Sequence, residues 1–77
     1  MIVTLSSTDK IVELVVNGRA VPARVWEGHT SSGIPCHAFI TRIAVDPEQD
    51  SAEFERELRQ CQPATPAIAA IPLRLIL

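Results

Sequence analysis

Residues 10–27, Lys10-Ile-Val-Glu-Leu-Val-Val-Asn-Gly-Arg-Ala-Val-Pro-Ala-Arg-Val-Trp-Glu27, decide the fold, because they read as two strands folded about a two-residue turn. Asn-Gly is the preferred pair for a type I′ turn, since both central residues must take positive φ. A two-residue loop fixes the register: Val16 stands opposite Arg19, Leu14 opposite Val21 and Val12 opposite Ala23. Side chains alternate along a strand, so Val12, Leu14, Val16, Val21, Ala23 and Val25 share one apolar face. Ile11, Glu13, Val15, Ala20, Pro22, Arg24 and Trp26 share the other. Turn chemistry and hydrophobic period agree here, which is strong evidence for a hairpin.

The rest of the chain is read outward from that hairpin. Met1–Leu5 is expected as a short first strand, separated from the hairpin by the polar run Ser6–Lys10. Cys36–Val45 is expected as a further strand, with His37, Phe39, Thr41, Ile43 and Val45 turned to the core. Pro22 has no N–H to donate, so its strand is at an edge there, or is paired on that side only beyond it. A helix begins at Asp46-Pro47 or at Asp50-Ser51, where Asp50 and Glu53 have capping-box spacing. Phe54, Leu58 and Cys61 recur at i, i+4 and i+7, a narrow stripe to face the sheet. Glu55 and Arg59 form an i, i+4 pair, and Pro63 ends the helix. Pro63–Pro66 reads as a connector and Ile71–Leu77 as the last strand. The expected architecture is one α+β domain over residues 1–77, in the order β-β-β-β-α-β. An antiparallel sheet of four to five strands carries one helix packed on one face.

Composition narrows the function. A chain of 77 residues buries only about 60% of its unfolded surface, so its core is marginal. With no Tyr, two Phe and one Trp, that core is aliphatic. Cys36 and Cys61 are too few for a disulfide framework and are expected as reduced thiols. No stretch resembles a signal peptide or a membrane helix, so a cytoplasmic protein is expected. Net charge is −2 and divides unevenly. Residues 1–45 hold Lys10, Arg19, Arg24 and Arg42 against Asp9, Glu13 and Glu27, whereas residues 46–77 hold three arginines against six acids. The basic patch that phosphate binding requires is missing, which argues against nucleic acid.

Candidate sites are few. The loop Gly28–Pro35 has two glycines at the spacing that opens a phosphate-binding loop. Ile34-Pro35 stands where Lys-Ser or Lys-Thr is needed, so that reading fails. The loop is instead a polar connection, and its length leaves His29, Thr30, Ser31 and Ser32 as contact residues. His29, Cys36, His37 and Cys61 fit no metal-ligand spacing, and the adjacent Cys36 and His37 point to opposite faces. No Ser or Cys has a base and an orienting group in view. Neither catalysis, metal nor cofactor is expected. The sheet's outer face is the better surface: Arg24, Trp26, Ile40 and Arg42 project from it, and Trp and Arg are enriched at binding hot spots. Leu73–Leu77 is apolar on both faces apart from Arg74. A single helix leaves it uncovered, and a second copy of the chain is the simplest cover.

Val21-Pro-Ala-Arg-Val-Trp-Glu-Gly28, Phe39-Ile-Thr-Arg-Ile-Ala-Val45 and Ile71-Pro-Leu-Arg-Leu-Ile-Leu77 resemble segments of short proteins carried on bacterial plasmids and genomic islands. The resemblance transfers no site and implies an accessory protein that works by binding another macromolecule. The expected function is a protein-interaction or regulatory module that self-associates as a homodimer. The alternatives are a nucleic-acid-binding regulator and, third, a small-molecule or metal-dependent enzyme.

Overall fold

A computed structural model describes all 77 residues. Four strands, β1 (Val3–Val16), β2 (Arg19–Thr30), β3 (Pro35–Ile40) and β4 (Arg74–Ile76), form one sheet in the order β3-β2-β1-β4. Two helices, α1 (Ser51–Leu58) and α2 (Pro66–Ala69), lie between β3 and β4. The class is thus α+β, with more sheet than helix. The β1–β2 hairpin has the register read from the sequence, from Val16 opposite Arg19 to Ile11 opposite Arg24. Asn17 and Gly18 take φ of 52° and 77°, the values a type I′ turn needs. Val12, Leu14, Ala23 and Val25 are buried on the inner face, as the alternation requires. Val16 and Val21, at the turn end, stay partly exposed.

The expected separate first strand is corrected. Val3–Leu5 and the hairpin strand are continuous in β1, because the polar run between them is a bulge rather than a linker. Ser7 pairs with Trp26 and Ile11 with Arg24, so Thr8, Asp9 and Lys10 together oppose Val25. Two extra residues preserve the face parity on either side. Thr8 is 0% exposed; its hydroxyl donates to the Val25 carbonyl at 2.6 Å and accepts from the Lys10 N–H at 3.3 Å. A buried polar side chain satisfied in both roles holds the bulge shut. Farther along, Gly28 lies within β2 rather than in a loop, and a Cβ there would overlap the Thr4 carbonyl.

The third strand ends at Ile40, not at Val45. Ile40 pairs with Arg24, and two residues farther along β2 stands Pro22, which offers no N–H to a continuing partner. Phe39 packs against the core, while Thr41–Ala44 are exposed and outside any strand. The purely antiparallel sheet is corrected as well: β4 runs parallel to β1, with Glu13 opposite Arg74 and Val15 opposite Ile76.

That reversal follows from the path of the chain after β3. The chain first crosses the outer face, where Leu58 of α1 meets the depression lined by Arg24, Trp26 and Ile40. It then turns around the edge of β1 at the bulge. The N–H of Asp9 donates to the Gln62 carbonyl at 3.0 Å, and the N–H of Gln62 donates to the Ser7 carbonyl at 3.1 Å. The Ala64 N–H donates to Asp9 Oδ1 at 3.0 Å, and Lys10 Nζ donates to the Ala69 carbonyl at 3.0 Å. Residues 60–71 thereby form a strap that carries α2 onto the inner face. Ile68 completes the buried cluster there, with Ala64 and Ile71 beside it. The strap already runs alongside β1 in the same direction at Gln62, so the strand it leads into is parallel. The stretch read as a connector is in effect a crossover.

α1 departs from expectation in what it covers. Asp50 caps it, its Oδ1 accepting from the Ala52 N–H at 2.9 Å. It ends at Leu58, short of Pro63, and Arg56 pairs with Glu53 in place of an Arg59–Glu55 pair. None of its residues is buried. The helix that fills the core is α2, started by Pro66.

Candidate functional site

The outer face, expected as a binding surface, is partly covered by Leu58 of α1. Arg24 and Trp26 share it with Ile40, as their positions along β2 and β3 require. Arg24 is not free on this face: its Nη1 donates to the Thr8 carbonyl at 2.6 Å. The bulge turns that carbonyl out of the ladder, and the guanidinium satisfies it. Trp26 is half-buried, with one depression of about 150 Å³ bounded by Ile40, Arg42 and Leu58. A second depression, on its other side, is bounded by Ser7, Glu57 and Cys61. Arg42 is exposed and follows the end of β3.

The loop site divides in two. Pairing of β2 and β3 continues to His29 opposite Pro35, so the connection is short and internally bonded. Gly33, at φ 88°, donates its N–H to the Thr30 carbonyl at 2.9 Å. Thr30 Oγ1 accepts from the Ile34 N–H at 3.1 Å and lies 3.2 Å from Ser32 Oγ. The Ser31 N–H donates to the Ile2 carbonyl at 3.0 Å. The hydroxyls of Thr30 and Ser32 are thus engaged in the turn. His29 sits on β2 at the rim of a cleft of about 450 Å³, whose walls include Ser6, Glu27, His37 and Thr65.

Sequence reasoning did not single out Glu27. The cross-strand register places Ser6, Glu27 and His37 in one row across β1, β2 and β3. The Glu27 carboxylate is occupied: Oε2 accepts from Thr65 Oγ1 at 2.8 Å and Oε1 from Gln62 Nε2 at 3.4 Å. It tethers the strap to the sheet. His37 meets Phe39 edge to face, with ring centroids 5.4 Å apart. No three His, Cys, Asp or Glu side chains converge where they would hold a metal ion. Cys36 and Cys61 are both free thiols.

The two edges of the sheet differ. β3 opens with Pro35, and a Pro on an edge blunts strand addition. β4 carries no proline; its three residues include one charge, Arg74, between apolar neighbours. Leu73, Ile76 and Leu77 are 69%, 80% and 76% exposed. The Glu13 N–H donates to the Leu73 carbonyl and the Leu77 N–H donates to the Val15 carbonyl. Odd-numbered residues of this segment therefore bond inward to β1. The N–H and C=O of Arg74 and Ile76 point away from the sheet, with no strand beyond them. Arg74 Nε stands 3.6 Å from Glu13 Oε1. The doubly apolar run Leu73–Leu77 was the sequence signal for this edge; that its partner strand is β1 was not visible. No helix is long and apolar enough to cross a membrane. Compared with protein-family models, curated proteins and solved structures, the chain finds no match.

Proposed function

We propose that this chain is a small protein-interaction module that acts by binding and associates with a second copy of itself through β4. One observation carries the reading: the edge segment Leu73–Leu77, built around β4, exposes three apolar side chains at 69% to 80%. Exposed apolar edges template pairing with another chain, and small domains with thin cores gain stability from such association. The face around Trp26 and Arg42 ranks second, because α1 already abuts it and Arg24 is committed to the bulge. The same commitment weakens a nucleic-acid reading, which needs free arginines beside Trp26.

Light scattering on a sizing column at two concentrations tests the proposal. A mass of twice 8.4 kDa is expected. Ile76→Lys places a charge on the edge without disturbing an inward bond. It should weaken association on the order of tenfold or more while leaving the circular dichroism unchanged. A monomer at every concentration would overturn the reading.

A further inference from the structure

We infer that two copies join their β4 strands antiparallel about a two-fold axis passing beside Leu75, so that two four-stranded sheets become one of eight. The inference rests on the self-association just proposed and adds its geometry. A two-fold requires that the same patch complement itself. For two β4 edges this means antiparallel pairing, and the outward backbone groups of Arg74 and Ile76 set the possible registers.

In the register centred on Leu75, Arg74 of each copy faces Ile76 of the other. The outward N–H and C=O groups of both residues are then all paired, as four hydrogen bonds. On the inner face Leu73 stands opposite Leu77 of the second copy, and Leu75 opposite Leu75, a stripe of six leucines. Leu73 and Leu77, highly exposed in one chain, become each other's cover. On the outer face each Arg74 keeps its own Glu13 and lays its aliphatic stem against the other copy's Ile76.

The neighbouring registers are poorer. Centring on Arg74 sets two arginines directly opposite, which is destabilising, and aims Ile76 at Pro72, which has no N–H to give. Centring on Ile76 forms fewer bonds within the strand. Charge and apolar match thus select the same arrangement as the backbone.

Disulfide trapping tests the register. In a Cys36→Ser, Cys61→Ser background, an Arg74→Cys chain is mixed with an Ile76→Cys chain and oxidised. Directly paired residues have Cα atoms about 5.5 Å apart, within disulfide range. Diagonal ones, about 7–8 Å apart, fall outside it. A cross-link between the two variants, with Ile76→Cys failing to link to itself, is the expected result. Self-linking of Ile76→Cys would overturn the register. The unaltered chain supplies an independent reading by amide exchange. The N–H groups of Arg74 and Ile76 should be protected in the dimer and lose protection on dilution. A stable dimer in which both exchange freely would overturn edge pairing while leaving self-association intact, whereas a monomer by light scattering removes the foundation of both.

Discussion

α1 and α2 make an instructive pair. α1 has the features by which a helix is recognised: an aspartate cap, acids in its early turns, Pro47 before it and an apolar stripe. It buries no residue. α2 has four residues, no side-chain cap and no charge, yet its Ile68 is among the six buried residues of the molecule. Local signals report what a segment does with its own backbone. Which segment closes the core depends on where the chain passes, and here the bulge at Thr8–Lys10 decides that by anchoring the strap.

Three substitutions sharpen the contrast. The largest effect is expected from Ile68→Ala, which empties the centre of the inner face and should cost about 2–4 kcal/mol. In a domain whose whole stability is of order 5–15 kcal/mol, the midpoint of urea unfolding should fall steeply. A loss below about 1 kcal/mol would show that α2 does not close the core. Thr8→Val keeps the shape but leaves the Val25 carbonyl and the Lys10 N–H unpaired, at about 1–3 kcal/mol. The same titration measures it, and an unchanged midpoint would mean that the bulge does not depend on its hydroxyl. The smallest effect belongs to α1. Asp50→Ala removes a cap worth about 1 kcal/mol to the helix, but with nothing buried behind it the global stability should fall by less than about 0.5 kcal/mol. A larger shift would promote α1 to a part of the core.

The hairpin was legible in the sequence because two independent signals coincide there, Asn17-Gly18 for the turn and the alternation of Val12, Leu14, Ala23 and Val25 for the face. The strap was not legible. Ser6–Lys10 has no hydrophobic period, so nothing distinguishes a bulged strand from a linker until Gln62 and Asp9 are seen to bond. Pro66 at the start of α2 was a readable sign, obscured by a second proline three residues earlier. The site divides in the same way. Trp26 and Ile40 lie on the expected face, since strand parity places them. The partner of Arg24 is a carbonyl that only the bulge exposes, and the engagement of Thr30 and Ser32 follows from a turn tighter than the spacing of Gly28 and Pro35 implied. The exposed edge was half legible: Leu73–Leu77 announced that it needs cover, but not on which side.

The strap also sets an order of events. Its side-chain hydrogen bonds to Ser7, Asp9 and Lys10 join residues 53, 55 and 59 positions apart, whereas the hairpin closes across two residues. Because the entropy of ring closure grows with the logarithm of length, bringing the strap home costs roughly 3 kcal/mol more than closing the hairpin turn. The β1–β2 ribbon is therefore the scaffold on which the strap lands. To expose the inner face, the strap must let go. When it does, it uncovers Val12, Leu14, Ala23 and Val25 together, and it takes the β4 edge away from the sheet in the same motion.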